Sequence, residues 1–204
     1  MKPAERQDVI DRYADRLKRL GPVVQALGWR DDAQQQLRFS VIADGLSGVG
    51  GGSVLDVGCG FGDFRAYLEQ RGLQVNYVGC DVSPDVLEVA RARHPDGAFE
   101  LRDILDNPYP PGSFDYVCLS GLFNHRLADN DAFLHRMLAA AFAACTRGVS
   151  ANMTTDYVDY RDEHLHYFSP ERVFHFGQTL TRRVALRHDY PLYEFTIFLY
   201  RDAK

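Results

Sequence analysis

The sequence has no run approaching the roughly 20 apolar residues that span a bilayer. Its charged opening, MKPAERQDVIDRYADRL, contains no apolar signal segment. The expected location is therefore the cytoplasm, with no membrane partner. A basic excess is also missing: 23 Lys and Arg stand against 28 Asp and Glu, a net charge of −5. The first forty residues carry eight basic and six acidic side chains, so no local patch compensates. Such a field does not favour a polyphosphate backbone, and nucleic acid is not an expected partner. Cysteine is sparse and scattered. Cys59, Cys80, Cys118 and Cys145 form no CxxC pair, which argues against a disulfide scaffold and predicts reduced thiols. Repeats and low-complexity tracts are absent, and 204 residues leave little room for two complete cores.

What is present is alternation. Val9, Ile10, Tyr13, Leu17 and Leu20 fall on one face of a helix over 4–20, stopped by Gly21-Pro22. A second helix starts at Asp31-Asp32 and ends near Leu46, where the glycine-rich stretch 45–52 breaks it. Beyond this preface, strands are expected at 53–57, 74–80, 98–101, 114–120 and 148–152, with helices at 62–71, 83–93, 129–145 and 169–179. Two last strands, 183–187 and 194–200, have no helix between them and should pair antiparallel at one edge. The fold class is α/β: a doubly wound, mostly parallel seven-stranded sheet with a C-terminal antiparallel hairpin. A helical cap or lid (1–48) precedes a core (49–204). Such a sheet binds its ligand beyond the carboxyl ends of its strands.

The first strand ends in Asp56-Val-Gly58-Cys59-Gly60-Phe-Gly62. Closely spaced glycines let the chain turn sharply and let a ligand touch the main chain. A nicotinamide- or flavin-binding turn has the same general form, but its GxGxxG spacing would put the third glycine at Asp63, and here it comes at Gly62. A tight turn with no ligand is the remaining alternative.

The segment resembles motif I of the class I S-adenosylmethionine-dependent methyltransferases, and three later segments extend the resemblance over about 50–204. Gly79-Cys-Asp81-Val82-Ser ends the second strand in an acid 25 positions after Asp56. Glu100-Leu-Arg-Asp103-Ile104 follows the third strand, and FDYVCLS, ending at Ser120, forms the fourth. The resemblance implies S-adenosylmethionine as cofactor and S-adenosylhomocysteine as product. Gly58, Cys59, Gly60 and Gly62 would approach the amino-acid part of the cofactor, with Asp56 and Ser120 nearby. Asp81 would hold the ribose hydroxyls, since a carboxylate offers two coplanar acceptors. Asp103 would accept from the adenine amino group, with Asp106 as competitor, and Val82 and Ile104 would sandwich the ring. Arg38, 18 residues before Asp56, would pair with the cofactor carboxylate.

The acceptor should face the loops after the fourth and fifth strands, where Asn124 stands with the polar aromatics His125, Tyr157, His164, His166 and Tyr167. Tyr13 would join them from the lid. His125 is the candidate general base, with pocket shaping as its alternative. His164 and His166 lack further ligands and no HExxH accompanies them, so no metal is expected. The expected reaction is O- or N-methylation of a small molecule by a monomer or homodimer. Methylation of a protein, or cofactor binding without turnover, stays open.

Overall fold

The computed structural model describes residues 1–46, 48 and 50–202. In chain order the elements are α1 (Pro3–Leu20), a 3-10 turn (Val24–Leu27), α2 (Asp32–Asp44), β1 (Ser53–Val57) and α3 (Asp63–Gln70). Then come β2 (Asn76–Asp81), α4 (Pro84–Arg93), β3 (Ala98–Leu101), β4 (Phe114–Leu119), α5 (Asn130–Ala144) and β5 (Cys145–Thr154). The chain ends with α6 (Pro170–Leu180), β6 (Arg183–Arg187) and β7 (Glu194–Tyr200). The expected caps form: Asp31 accepts from the Gln34 amide at 2.8 Å, and Ser83 and Ser169 each open a Ser-Pro helix start. No helix among the described residues is long and apolar enough to cross a membrane.

The sheet order is β3-β2-β1-β4-β5-β7-β6. Strands β1 to β5 run parallel, while β7 inserts between β5 and β6 and is antiparallel to both. Successive side chains of a strand point to opposite faces, and β1 shows the consequence. Val54 joins Phe39 and Ile42 of α2, Phe64 of α3 and Leu87 of α4. Leu55 and Val57 join Phe133, Met137 and Leu138 of α5 and Val173 of α6. The chain reverses its direction across the sheet between β1 and β4, which opens a crevice at their carboxyl ends.

The two helices of the expected cap at 1–48 differ in burial. Helix α1 buries no residue completely, but α2 buries Gln35, Arg38, Phe39, Val41 and Ile42. It is a structural layer on the sheet, because its apolar face is continuous with α3 and β1. Helix α1 and the 3-10 turn reach the crevice through Val9, Tyr13 and Leu27, and α2 reaches it through Gln35 and Phe39. Ser47 and Val49, at the expected boundary, lie outside the described residues, as do Ala203 and Lys204 at the end of the expected core.

Close approach requires a glycine where α2 ends. A Cβ on Gly45 would lie 2.1 Å from Ser150 Oγ and 2.5 Å from the Phe198 ring. Gly45→Ala is expected to cost about 1–3 kcal/mol, the usual range for overpacking a close-packed interior. Urea unfolding with an unchanged midpoint would show that the layer yields freely.

Candidate active site

The cavity at the crevice is built from strand ends upward. Its floor is the turn after β1, where Gly58, Gly60 and Gly62 have φ of 74°, 56° and 78°. The amides of Gly58 and Cys59 donate to the Cys80 carbonyl at 2.8 and 3.1 Å, which locks this turn to the end of β2. Asp81 completes the lock. Its Oδ2 accepts from the Gly60 amide at 3.2 Å and its Oδ1 from the Ser83 amide at 3.0 Å. Burial raises the Asp81 pKa, and those amides oppose the shift.

Asp56, Asp63, Asp81 and Asp103 all line the cavity. Asp56 is 2 % exposed and accepts from the Tyr77 hydroxyl at 2.6 Å. Burial pushes its pKa up to about 7, against that hydrogen bond, with Asp81 and Asp63 adding to the rise. Asp103 is paired with Arg6 and Asp63 with Arg93, each at 2.9 Å, so those two charges are met within the chain. Val82, Ile104, Leu127, Phe133 and Met137 give the cavity lining its apolar part, with Asp103. Gly58, Gly60, Ser120, Gly121, Gln35 and Trp29 also line the cavity, and a Cβ on Gly121 would meet the Trp29 ring.

Helix α1 spans the cavity. Arg6 pairs with Asp103 at 2.9 Å and also with Asp106, and Glu5 accepts from the Ala128 amide at 2.7 Å. Asp103 is the acid on the cavity wall, while Asp106 keeps 62 % of its side chain in solvent. In the middle of the helix, Arg12 Nη1 lies 3.0 Å from His125 Nδ1 and Tyr13 Oη 3.2 Å from His125 Nε2. A guanidinium only donates, so Nδ1 accepts and the ring proton sits on Nε2, donated to Tyr13. Burial lowers the His125 pKa to about 4, with Arg12 and Arg16 adding to the drop. The imidazole is therefore neutral near pH 7 with both nitrogens engaged, which leaves no free lone pair for a base. Tyr13, pushed up to about 12 by burial, keeps its proton.

The motif residues Asp56, Gly58, Cys59, Gly60, Asp81, Val82, Asp103, Ile104 and Ser120 come together on one cavity with Tyr13 and His125. Others do not line it. Gly62 starts α3, turned toward His94 and Phe99. Arg38 is committed to Glu194 through Nε and Nη2 at 2.6–2.9 Å, because a buried carboxylate on β7 faces it. The loop after β5 spends its polar groups on the loop itself and on neighbouring elements. Tyr157 is 61 % exposed and bonds Glu171; Tyr167 Oη accepts from the Asp162 amide at 2.8 Å. The His166 amide donates to the Asn124 carbonyl at 3.0 Å, and His164 keeps 78 % of its side chain exposed. Asn124 Oδ1 accepts from Thr154. Trp29, Leu27, Gln35 and Leu122 line the cavity without any signal in sequence periodicity; Phe133 and Met137 belong to the expected apolar face of α5 and double as cavity wall. Among the described residues no group of three His, Cys, Asp or Glu side chains is arranged to hold a metal ion.

The sequence profile of the methyltransferase domain family matches residues 54–148. A protein of Mycobacterium tuberculosis (strain ATCC 25618 / H37Rv), "Putative methyltransferase Rv1506c", is 38% identical over 158 residues, covering 72% of this chain and 92% of that protein. A demethylmenaquinone methyltransferase of Deinococcus radiodurans is 45% identical over 76 residues, 35% of this chain and 32% of that protein. Among solved structures, magnesium protoporphyrin IX methyltransferase from Synechocystis with bound S-adenosylhomocysteine superposes with a TM-score of 0.69 at 15% identity, over 96% of this chain and 99% of that one. That likeness speaks for the fold; the tuberculosis relative and the profile speak for the family. The chain belongs to the class I S-adenosylmethionine-dependent methyltransferases.

Proposed function

We propose that this enzyme transfers the methyl group of S-adenosylmethionine to an oxygen or nitrogen of a small-molecule acceptor, without a metal. Asp81 carries the reading: a carboxylate on the cavity lining at the end of β2, pinned by two backbone amides, one of them from the adjoining glycine turn. The residues fit the cofactor. Asp81 would take the ribose hydroxyls. The apolar lining at Val82, Ile104, Leu127 and Phe133 would take the adenine ring, with Asp103 on the same lining. The turn at Gly58 and Gly60 would take the amino-acid end, with Ser120, whose buried Oγ lacks a hydrogen-bond partner. When bound, the cofactor supplies a methyl carbon already activated by its sulfonium.

The chain's own contribution is positioning and exclusion of water. Tyr13, His125 and Trp29 would surround the transferring group, and α1 would close over it. Relatives named for demethylmenaquinone and for magnesium protoporphyrin IX act on small molecules, which supports an acceptor of that size. Calorimetry tests the cofactor assignment: S-adenosylmethionine and S-adenosylhomocysteine should bind with micromolar Kd, roughly −8 kcal/mol, and NAD far more weakly. Labelled methyl from S-adenosylmethionine should enter the low-mass fraction of a native-cell extract. Label confined to RNA or folded protein would sink the acceptor assignment.

His125 then acts as cavity wall and as the latch for α1. His125→Asn should retain turnover within about tenfold and leave S-adenosylhomocysteine affinity nearly intact. A loss of roughly 10²-fold or more, the usual effect of removing a general base, would restore that role to the imidazole.

A further inference from the structure

We propose that Arg38, Glu194 and Asn152 form a positioning relay that fixes the turn after β4, and with it the cavity wall at Ser120–Leu122, in the geometry that binds the cofactor. The inference rests on the cofactor reading above and adds residues outside the motifs. Strand β4 ends at Leu119, so the ladder no longer holds the next residues. The Gly121 amide is held by a side chain instead: it donates to Asn152 Oδ1 on β5 at 2.9 Å. Asn152 Nδ2 donates to Glu194 Oε2 on β7 at 3.0 Å, which sets the amide's orientation, since each of its ends faces a partner of opposite type. Glu194 in turn receives the Arg38 fork from α2. All three side chains are buried, at 8 %, 5 % and 1 % exposure for Arg38, Glu194 and Asn152.

The chain of contacts closes on itself. The Trp29 ring lies 4.5 Å from the Arg38 guanidinium carbon, and a Cβ on Gly121 would sit 2.3 Å from the same ring. Gly121, at φ 73°, is thus held by hydrogen bond on one side and covered by the indole on the other. Both Gly121 and Trp29 line the cavity. Arg38 reaches the wall twice, through Glu194 and Asn152 and through Trp29. A buried ion pair is weak grounds for stability, because desolvation offsets its attraction. Here its polar neighbours lead, atom by atom, to a backbone amide at the cavity.

The test measures three things in the full chain: S-adenosylhomocysteine affinity by calorimetry, Gly121 amide exchange by NMR, and the thermal midpoint. Asn152→Ala should weaken affinity about tenfold or more, as loss of one hydrogen bond with its partner left unpaired would do. It should also speed Gly121 exchange at least tenfold relative to Val117 in β4. Glu194→Gln, which keeps shape and one acceptor, should shift both in the same direction by less; it serves if the alanine variant does not fold. Phe142→Ala, a core truncation at the far end of α5, should lower the midpoint and leave both site readouts unchanged. Unaltered affinity and Gly121 exchange in folded Asn152→Ala or Glu194→Gln would overturn the relay, as would equal losses in Phe142→Ala. Wild-type protein that fails to bind S-adenosylhomocysteine would overturn the cofactor reading instead, while Gly121 exchange would still report on the relay.

Discussion

Asp81→Ala is expected to weaken S-adenosylhomocysteine binding by about 1.5–3 kcal/mol, the cost of losing hydrogen bonds to a charged group, or roughly 10- to 150-fold in Kd. The carboxylate serves two ends at once. Toward the protein it holds the Gly60 and Ser83 amides, and so the glycine turn and the start of α4. Toward the cavity its remaining lone pairs would be the acceptors for two hydroxyls. Alanine removes both functions and leaves two amides unpaired beside the ligand. Asp81→Asn separates them: one oxygen still accepts from an amide, but the NH₂ group repels the other donor, so an intermediate loss is expected. Calorimetry on variants with a native circular dichroism spectrum reads the effect. Affinity unchanged in folded Asp81→Ala would exclude the ribose role.

Legibility followed sequence distance. The β1 turn was legible from its closely spaced glycines at a strand end, whereas Asp81 and Asp103 were placed by the resemblance of their segments to the family's later motifs. The Ser-Pro helix starts were equally readable, and both form. The 3-10 turn at Val24–Leu27 was not, because four residues carry no period. It brings Leu27 into the cavity and leads to Trp29. Strand β5 begins at Cys145, directly from α5 with no loop, and no turn signal marks that switch. The Arg38–Glu194 pair spans 156 positions, and nothing local to either residue names the other. The loop after β5 was illegible for a different reason. Its tyrosines and histidines suit ligand recognition by type, yet a loop away from regular structure must satisfy its own backbone and side-chain groups. Tyr167 is engaged in that way with Asp162, and Tyr157 is engaged with Glu171 at the start of α6.

The largest pH effect should come from Asp56. In the fold its carboxyl keeps its proton up to about pH 7, whereas in the unfolded chain an aspartate releases it near pH 4. Between those values the folded state binds one more proton than the unfolded state, so stability falls as pH rises. The contribution is intact below pH 4 and is lost as pH climbs through 7. Three pKa units correspond to on the order of 4 kcal/mol. Asp56→Asn removes the titration, keeps an acceptor for the Tyr77 hydroxyl and fills the same space. Asp81 and His125 titrate in both proteins, so the difference between the two curves isolates Asp56. In urea unfolding between pH 4 and 8, the variant should gain on the wild type steadily as pH rises and then level off. Parallel curves would mean that water or the neighbouring strands solvate the carboxylate. A gain of the expected size would mean that the chain tolerates a costly acid at the rim of a cavity where three other carboxylates already stand, a stability cost of the kind functional sites retain.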